Sequence, residues 1–129
     1  MRVYLASNWG SKKRMAALAE PVRQLGHVVI SSWLHDPTEA YNIDSPRDAY
    51  ADLGEITSCD LLILDTAESS VTGGREVEMG FALGRGIKVW VIGPERNIFH
   101  GIAARRYYNW VDALKDLAPD KPGGIHARV

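Results

Sequence analysis

Apolar residues along this chain form short continuous runs that alternate with longer stretches in which apolar residues recur every three or four positions. The runs predict buried β-strands over 3–6, 27–33, 60–65 and 87–92, with a short fifth strand at 107–108. Strand and helix patterns therefore alternate along most of the sequence.

The stretches between the runs predict helices. They cover 12–25, 46–58, 75–84 and 110–117, and a short helical turn is expected within 97–104. In the third helix, Val77 and Phe81 lie one turn apart and are expected to face the sheet, with Glu78 beside them. The segments 34–45 and 119–129 contain turn-forming residues and are predicted to be a loop and a tail.

Buried strands connected through helices indicate an α/β fold with a parallel, doubly wound sheet. We predict a single domain, residues 1–129, with a five-stranded flavodoxin-like or Rossmann-like sheet in the order 2-1-3-4-5. Ligands of such sheets bind beyond the carboxyl ends of the strands, where the strand order reverses. The loops 7–11, 65–75 and 93–100 meet there, together with the loop that follows Trp33.

Composition narrows the classes of partner. Hydrophobic residues make up 46% of the chain, charged residues 24%, and the formal net charge is −1 without a basic patch, which argues against a nucleic-acid polymer. No apolar run reaches the roughly eighteen residues of a membrane span. The single cysteine, Cys59, excludes an internal disulfide, and the histidines lack metal-ligand spacing. We therefore expect a cytoplasmic protein with no metal and no cofactor.

Glycines and acids cluster where the third strand passes into the third helix. Gly73-Gly74 could present backbone N–H groups to an anion, or could simply form a tight turn. Arg75 could bind a phosphate or pair with Glu76. Glu78 could serve as a nucleophile or general base, or could be an acid favourably placed near a helix N-terminus. The residues alone leave each of these alternatives open.

Further candidates lie on other elements. Asp52 could belong to a site, although a solvated position on the second helix is the commoner role. Tyr4 and Trp9 could offer an aromatic face to a ligand or fill the core, and Asn97 and His100 could contact a ligand or be structural. We expect surface charges at Asp48 and Glu55, core residues at Trp33 and Trp90, and an anchor of the last helix at Trp110.

Three segments, in order along the chain, resemble the nucleoside 2-deoxyribosyltransferases and the related deoxynucleoside-monophosphate N-glycosidases. Residues 4–9 are similar to the family's first strand and loop, where an aromatic residue lies beside the nucleophile. Residues 52–60 resemble its D-L-x-x-I-x-x-x-D stretch, and residues 78–84 resemble its E-x-G-x-A segment. The likeness spans most of the chain.

The resemblance implies cleavage of the N-glycosidic bond of a 2′-deoxyribonucleoside or its 5′-monophosphate. Glu78 would be the nucleophile that forms a covalent deoxyribosyl ester, Asp52 would contact the sugar or assist proton transfer, and Tyr4 would hold Glu78 by a hydrogen bond. Transfer to a second base would make a transferase, and transfer to water a hydrolase. The implied substrate contacts are Ser7, Asn8, Trp9, Ser69, Thr72, Gly73, Gly74, Arg75, Asn97 and His100.

One departure from the family bears on the substrate. Many of its transferases carry a second aspartate shortly before the nucleophile, whereas residues 69–72 contain no acid. The serines there, with Gly73-Gly74 and Arg75, suit a 5′-phosphate and favour the monophosphate branch. The family further implies a homodimer or larger assembly, in which residues 97–100 or the C-terminal tail would complete a neighbouring subunit's pocket.

Two alternatives belong to other functional classes. A nucleotide-binding or sensor module without catalysis would need only a pocket at the strand-order reversal and the glycine-rich helix start. A phosphoribohydrolase of the lysine-decarboxylase-like type is suggested by a Gly-Gly pair before a glutamate, but its P-G-G-x-G-T pattern is absent from the sequence.

Overall fold

A computed structural model of the chain describes residues 1–36, 46–69 and 72–119. The strands are β1 Arg2–Ala6, β2 Val28–Val29, β3 Leu61–Asp65, β4 Lys88–Ile92 and β5 Arg105–Tyr107. The helices are α1 Lys12–Gln24, α2 Pro46–Thr57, α3 Gly74–Gly84 and α4 Trp110–Leu117. Short 3₁₀ turns cover Trp9–Ser11, Ser32–His35 and Ile98–Ile102.

The strands form one parallel sheet in the order β2-β1-β3-β4-β5. The predicted α/β class, the five-stranded parallel sheet and its strand order are confirmed. Leu61 of β3 pairs with Val3 on one side and with Lys88 on the other, so these strands end at a common edge. The strand order reverses between β1 and β3, and the loops that follow them therefore meet at this edge.

Helices cover both faces of the sheet. Right-handed crossovers place α1 on one face and α2 and α3 on the other, because the chain moves along the sheet in opposite directions through them. Contacts between α1 and α4 and between α2 and α3 agree with these two layers. Every residue of β3 is buried, as expected for a central strand covered on both sides. Cys59, Trp33 and Trp90 are buried in the core, as predicted.

The second strand is much shorter than the predicted run 27–33. Only Val28–Val29 pair with β1, and a 3₁₀ turn begins at Ser32. The backbone of Leu5 explains the early end of β2. Its N–H donates to Ser31 Oγ at 2.9 Å, and its carbonyl accepts from Trp33 Nε1 at 2.7 Å. Side chains thus satisfy the groups of β1 that a longer β2 would have paired.

The face of α3 that contacts the sheet also differs from the prediction. Val77 is 62% exposed, while the buried residues of the helix are Arg75, Met79 and Ala82. The apolar residues of this short helix lie on two faces, one with Val77 and Phe81 and the other with Met79 and Ala82. The buried face includes Arg75, whose guanidinium donates hydrogen bonds to protein groups.

Parts of two predicted irregular segments lie outside the described residues. These are residues 37–45 of the loop before α2 and residues 120–129 of the tail. In the described part of the chain, no helix has both the length and the apolar character needed to cross a membrane.

Candidate functional site

Tyr4 and Glu78 form the centre of the candidate site. Tyr4 lies on β1 with its side chain fully buried, and its hydroxyl donates to Glu78 Oε2 at 2.7 Å. Burial raises the pKa of Tyr4 well above its ordinary value, and the carboxylates of Glu78 and Asp52 raise it further. The phenol therefore remains protonated and acts as a fixed hydrogen-bond donor to Glu78.

The Glu78 carboxyl lies in an environment that favours its neutral form. Burial raises its pKa to about 8, the hydrogen bond from Tyr4 opposes this shift, and the negative charges of Asp52 and Glu55 add to it. A carboxyl whose pKa is raised in this way is typical of functional sites, where the cost of burial is tolerated for chemistry.

Asp52 is the second carboxyl of the site. It lies partly buried on α2, which contacts α3. Burial raises its pKa to about 7, with further contributions from the charges of Glu55, Asp48 and Asp36. Its partial burial and raised pKa are features that a fully solvated helix position would lack.

Glu55 is a member of this acidic group that the sequence interpretation assigned to the surface. Glu55 is of intermediate exposure, and its Oε1 accepts from Ser32 N at 3.0 Å. Its charge raises the pKa of both Asp52 and Glu78. Its spacing of three residues from Asp52 on a helix was the available signal, because such residues share a face.

Two carboxyls with raised pKa values near neutrality can divide acid and base roles. Their pKa values are about 7 and about 8, and the charge of Asp52 contributes to the pKa of Glu78, so a state with one of the two carboxyls ionised and the other protonated is populated near neutral pH. In that state one carboxylate can attack or stabilise a cationic centre while the other carboxyl donates a proton. The arrangement is suited to cleavage of a bond with a basic leaving group.

The loop after β1 contacts the loop after β3. Ser7 Oγ donates to Asp65 O at 3.4 Å, and Asn8 Nδ2 donates to Ser69 O at 2.8 Å. Asn8 Oδ1 is buried and has no hydrogen-bond partner among the described residues. The loop that carries these predicted contacts is therefore anchored at the edge of the sheet where β1 and β3 end.

Trp9 lies on the same loop, beside Trp33. The two ring centroids are 6.0 Å apart with the planes tilted by 31°. The ammonium of Lys12 lies 4.0 Å from the centroid of the Trp9 ring, in a cation–π contact. This contact covers one face of the Trp9 ring, so a ligand that stacks on that face would have to displace Lys12.

Arg75 is engaged inside the protein. Its guanidinium donates to Glu76 Oε1 at 3.0 Å, to Asp65 O at 3.3 Å and to Glu68 O at 2.6 Å. Of the two roles considered for Arg75, pairing with Glu76 is therefore realised. Gly73 precedes α3 with φ at +78°, in the left-handed region that favours glycine, so the glycine pair does form a tight turn.

Asn97 and His100 also converge on Glu76. Asn97 Oδ1 caps the 3₁₀ turn by accepting from the N–H groups of Phe99 and His100, and its Nδ2 donates to Glu76 Oε2 at 3.3 Å. His100 is fully buried; its Nδ1 accepts from Arg96 N at 2.9 Å, and its Nε2 donates to Glu76 Oε2 at 2.9 Å. Both residues thus contact Glu76 rather than Glu78.

Glu76 is the ionised centre of this second cluster. Burial by itself would raise its pKa, but hydrogen bonds from Arg75, His100 and Asn97 outweigh that effect and hold the pKa below the ordinary value. Glu76 and Glu78, two residues apart, therefore differ in role because only Glu76 is surrounded by several donors.

A cleft of about 430 Å³ opens at the start of α3. It is lined by Ser69, Gly73, Arg75, Glu76, Pro94, Glu95, Arg96 and Asn97. This cleft thus contains four of the predicted substrate contacts: Ser69, Gly73, Arg75 and Asn97. Thr72, the residue before Gly73, is exposed. A second cleft of about 400 Å³ lies between the β4–β5 connection and β5. Neither lining includes Tyr4, Asp52 or Glu78.

Asp65 organises a cluster that the sequence interpretation did not assign. Its carboxylate accepts two hydrogen bonds from Arg14 at 2.9 and 2.7 Å, one from Trp110 Nε1 at 2.7 Å and one from Ala67 N at 3.0 Å. Burial would raise the pKa of Asp65, but these donors lower it. Trp110 thereby anchors α4, as predicted. The sequence signal was an acid at the end of a fully buried strand.

The described residues hold no cluster of three or more histidine, cysteine, aspartate or glutamate side chains placed to bind a metal ion.

No protein-family model and no curated protein matches the sequence. Solved structures do match. A conserved protein from Enterococcus faecalis V583 is similar with a TM-score of 0.74 at 18% identity, over 91% of this chain and 96% of its own. A 2-deoxyribosyltransferase from Bacillus psychrosaccharolyticus has a TM-score of 0.71 at 22% identity, over 92% and 96%. The CMP N-glycosidase BcmB from Clostridium botulinum has a TM-score of 0.62 at 23% identity, over 91% and 98%.

At these identities the similarity establishes a shared fold. The Bacillus protein is a 2-deoxyribosyltransferase, one of the two kinds of enzyme that the motifs resemble. The Clostridium protein is an N-glycosidase whose named substrate, CMP, is a ribonucleoside monophosphate and not a deoxynucleoside monophosphate. The resemblance drawn from the motifs therefore agrees with the fold, and both extend over nearly the whole chain.

Proposed function

We propose that this chain is an enzyme that cleaves the N-glycosidic bond of 2′-deoxyribonucleosides or their 5′-monophosphates through a covalent ester on Glu78. The observation that carries the proposal is the 2.7 Å hydrogen bond from the buried Tyr4 hydroxyl to Glu78. Asp52, with its raised pKa, lies on the neighbouring helix. The activities named for the Bacillus and Clostridium proteins of the same fold support it.

In the first half of the reaction, an ionised Glu78 oxygen attacks the anomeric carbon of the deoxyribosyl group. The bond from that carbon to the base nitrogen breaks, and its electron pair leaves with the base. The base takes a proton from the Asp52 carboxyl. Because the pKa of Glu78, about 8, lies above that of Asp52, about 7, the ionised Glu78 and protonated Asp52 that this step needs are the minor of the two singly protonated forms, reached when the proton of Glu78 moves to Asp52. A deoxyribosyl ester of Glu78 remains, as in retaining glycosidases.

Tyr4 has a positioning and electrostatic role in this step. Its hydroxyl orients one carboxylate oxygen and leaves the other to attack. Because Tyr4 stays protonated at every pH at which the protein would work, it stabilises the ionised form of Glu78 against the cost of burial.

In the second half, an acceptor attacks the same carbon and releases Glu78 as a carboxylate. The acceptor is the nitrogen of a second base in a transferase and a water molecule in a hydrolase. In both cases the ionised Asp52 takes the proton that the acceptor loses, so protons and charges balance over the cycle.

The cleft at the start of α3 is the proposed site of the 5′ end of the substrate. Ser69, Gly73 and Gly74 would contact it through hydroxyl and backbone N–H groups, since the Arg75 guanidinium already has protein partners. A 5′-phosphate or a 5′-hydroxyl could each be bound by such groups. Ser7, Asn8 and the exposed part of Trp9 would contact the sugar or base from the first loop.

We also propose that the enzyme works in the cytoplasm as a homodimer or larger assembly. Ile98, Phe99 and Ile102, beside the cleft, are 81%, 59% and 63% exposed, and a neighbouring subunit that covered them would bury apolar surface. Sedimentation analysis of the purified protein tests this: a monomer at the concentrations used for assays would contradict it.

The function is tested by incubating the protein with a panel of 2′-deoxynucleosides and their 5′-monophosphates, with and without a free base. We expect base release that is lost in Glu78→Ala and Glu78→Gln. A matched control is Glu20→Gln, an exposed glutamate on α1 that should keep full activity. Acid-quenched enzyme should show a deoxyribosyl mass increment on the peptide that contains Glu78.

The products separate the remaining possibilities. A new nucleoside in the presence of a free base indicates a transferase, and free sugar or sugar phosphate indicates a hydrolase. Tight nucleotide binding that is unchanged in Glu78→Gln, without turnover of any substrate, would instead indicate a binding or sensor module.

A further inference from the structure

The loop that follows β3 is held by its carbonyl oxygens. Each carbonyl from Asp65 to Ser69 accepts a hydrogen bond from a side chain that belongs to another segment of the chain. The donors come from the first loop, from α3 and from the loop after β4. We call residues 65–69 the β3 loop. Asp65 is the last residue of β3 and the Thr66 N–H still donates to Ile92 O, whereas from Ala67 onward the loop is held by side chains.

Arg96 contributes most of the contacts from the β4 side. Its Nε donates to Thr66 O at 2.7 Å, Nη2 to Ala67 O at 2.9 Å and Nη1 to Ser69 Oγ at 3.0 Å. One planar guanidinium thus spans three residues of the β3 loop. A lysine ammonium is a single compact charge and cannot reproduce this fork.

Arg96 is connected to the Glu76 cluster, in which the side chains of Asn97 and His100 donate hydrogen bonds to Glu76. The backbone N–H of Arg96 donates to His100 Nδ1, and the opposite nitrogen of that imidazole donates to Glu76. Arg75, which also pairs with Glu76, holds the β3 loop from the other side through Asp65 O and Glu68 O. The Glu76 cluster and the two arginines therefore form one support beneath the β3 loop.

The β3 loop borders the cleft at the start of α3, the proposed site of the 5′ end of the substrate. It connects β3 to the turn that starts α3, the helix that carries Glu78, and Asn8 of the first loop is bonded to Ser69. Ser69 and Arg96 also line the cleft at the start of α3. A change in the β3 loop would therefore move groups that contact substrate without touching the Tyr4–Glu78 pair.

We infer that Arg96 is a positioning residue that holds the β3 loop in its substrate-binding conformation by a three-point guanidinium contact. This inference rests on the proposed function for its effect on catalysis, but the conformational part does not. Arg96 is largely exposed, so its removal should affect the loop much more than the stability of the fold.

The test compares Arg96→Ala, Arg96→Lys and the control Arg106→Ala. Arg106 is an exposed arginine at the same end of the sheet and pairs with Glu95 instead of the β3 loop. Hydrogen exchange at the amides of Thr66 and Ala67, read by mass spectrometry or NMR, should be faster in Arg96→Ala and unchanged in Arg106→Ala. These amides are bonded to Ile92 O and Asp65 Oδ1, so their exchange reports on the loop itself.

In activity assays, KM should rise by roughly 10- to 100-fold in Arg96→Ala, because a displaced loop loses substrate contacts. The pH dependence of kcat should stay unchanged, since the acid pair is not altered. Arg96→Lys should have a KM between those of the wild type and Arg96→Ala. Guanidinium ions added to Arg96→Ala should lower its KM toward the wild-type value. Arg106→Ala should remain within about twofold of the wild type.

Unchanged exchange and unchanged KM in Arg96→Ala would overturn the inference. The inference would also be overturned if Arg96→Ala and Arg96→Lys lost the same activity and that loss followed a fall in the unfolding temperature. That pattern indicates a general structural role. If the wild type releases no base from any substrate while Arg96→Ala still exchanges faster at Thr66 and Ala67, the proposed function fails and the loop support stands.

Discussion

The Tyr4 hydroxyl and the Glu78 carboxylate, 74 positions apart in sequence, lie 2.7 Å apart across the interface between β1 and α3. A buried phenol cannot ionise under ordinary conditions, so it donates to Glu78 at all accessible pH values. The hydrogen bond favours the ionised form of a carboxyl that burial would otherwise keep neutral.

Tyr4→Phe should therefore raise the pKa of Glu78 and slow the reaction. The variant keeps the buried ring and removes only the donor, so kcat should fall by about 10- to 100-fold. The acid limb of the pH–rate profile should move to higher pH. Tyr107→Phe, which removes a hydroxyl bonded to Asp116, is the matched control and should leave the profile unchanged. An unaltered profile in Tyr4→Phe would contradict the assigned role.

Glu55→Gln should lower the pKa of both Asp52 and Glu78. The charge of Glu55 raises the pKa of Asp52 and of Glu78, so its removal should extend the acid side of the pH–rate profile. The informative comparison is Asp48→Asn. The Asp48 charge acts directly on Asp52 and reaches Glu78 only through Asp52, so this variant should move the Asp52 titration more than that of Glu78.

NMR titration of the carboxyl carbons in the wild type and the two variants separates these effects. If Glu55→Gln and Asp48→Asn shift the same single carboxyl by the same amount, the proposed arrangement of charges around Glu78 is wrong.

The stability of the protein should fall as pH rises between about 4.5 and about 8. The folded state raises the pKa of Glu78 to about 8 from an ordinary value of 4.5, so over this window the folded protein binds more protons than the unfolded chain. Glu78→Gln cannot ionise and should escape this loss. Its unfolding temperature should exceed that of the wild type by a few degrees at pH 8.5 and by little at pH 4.5.

Thermal unfolding at several pH values measures the difference, and Glu20→Gln again serves as the control, since Glu20 is exposed. The conclusion about Glu78 would be untenable if the two glutamine variants showed the same pH dependence.

Asp65→Ala should destabilise the fold, because it leaves four donors without their acceptor: two from the Arg14 guanidinium, the Trp110 indole N–H and the Ala67 backbone N–H. We expect a loss of about 2–4 kcal/mol in the free energy of unfolding near pH 7. The pKa of Asp65 is lowered by folding, so its contribution is present above the ordinary pKa and is lost as pH falls through the folded value.

Urea unfolding at pH 7 and at pH 3 provides the measurement, and the gap between the wild type and Asp65→Ala should narrow at the lower pH. Asp116→Asn, which removes an exposed partner of Arg105, should cost less than about 1 kcal/mol. Equal losses in the two variants would show that the Asp65 cluster is not a centre of stability.

The strand order could be predicted from the sequence because apolar runs and their alternation with helices are local patterns, whereas the acid candidates followed from the resemblance of their segments to a known family. Apolar runs such as 60–65 must be buried, and alternation with helices leaves few topologies for a parallel sheet. Asp52 and Glu78 occur in segments whose order and spacing resemble a known family. By contrast, the early end of β2 depends on how Ser31 and Trp33 meet the backbone of Leu5, which no local pattern records.

The division of labour among the charged residues was decided by the tertiary structure. Glu76 and Glu78 are chemically identical, yet one is surrounded by donors and has a lowered pKa, and the other is buried against a single phenol and has a raised pKa. Arg75 and Arg96 contact backbone carbonyls that the fold brings to them. The sequence determined which chemical groups are present and on which elements they lie. Burial and long-range hydrogen bonds decided their protonation and partners, because both depend on residues far apart in the chain.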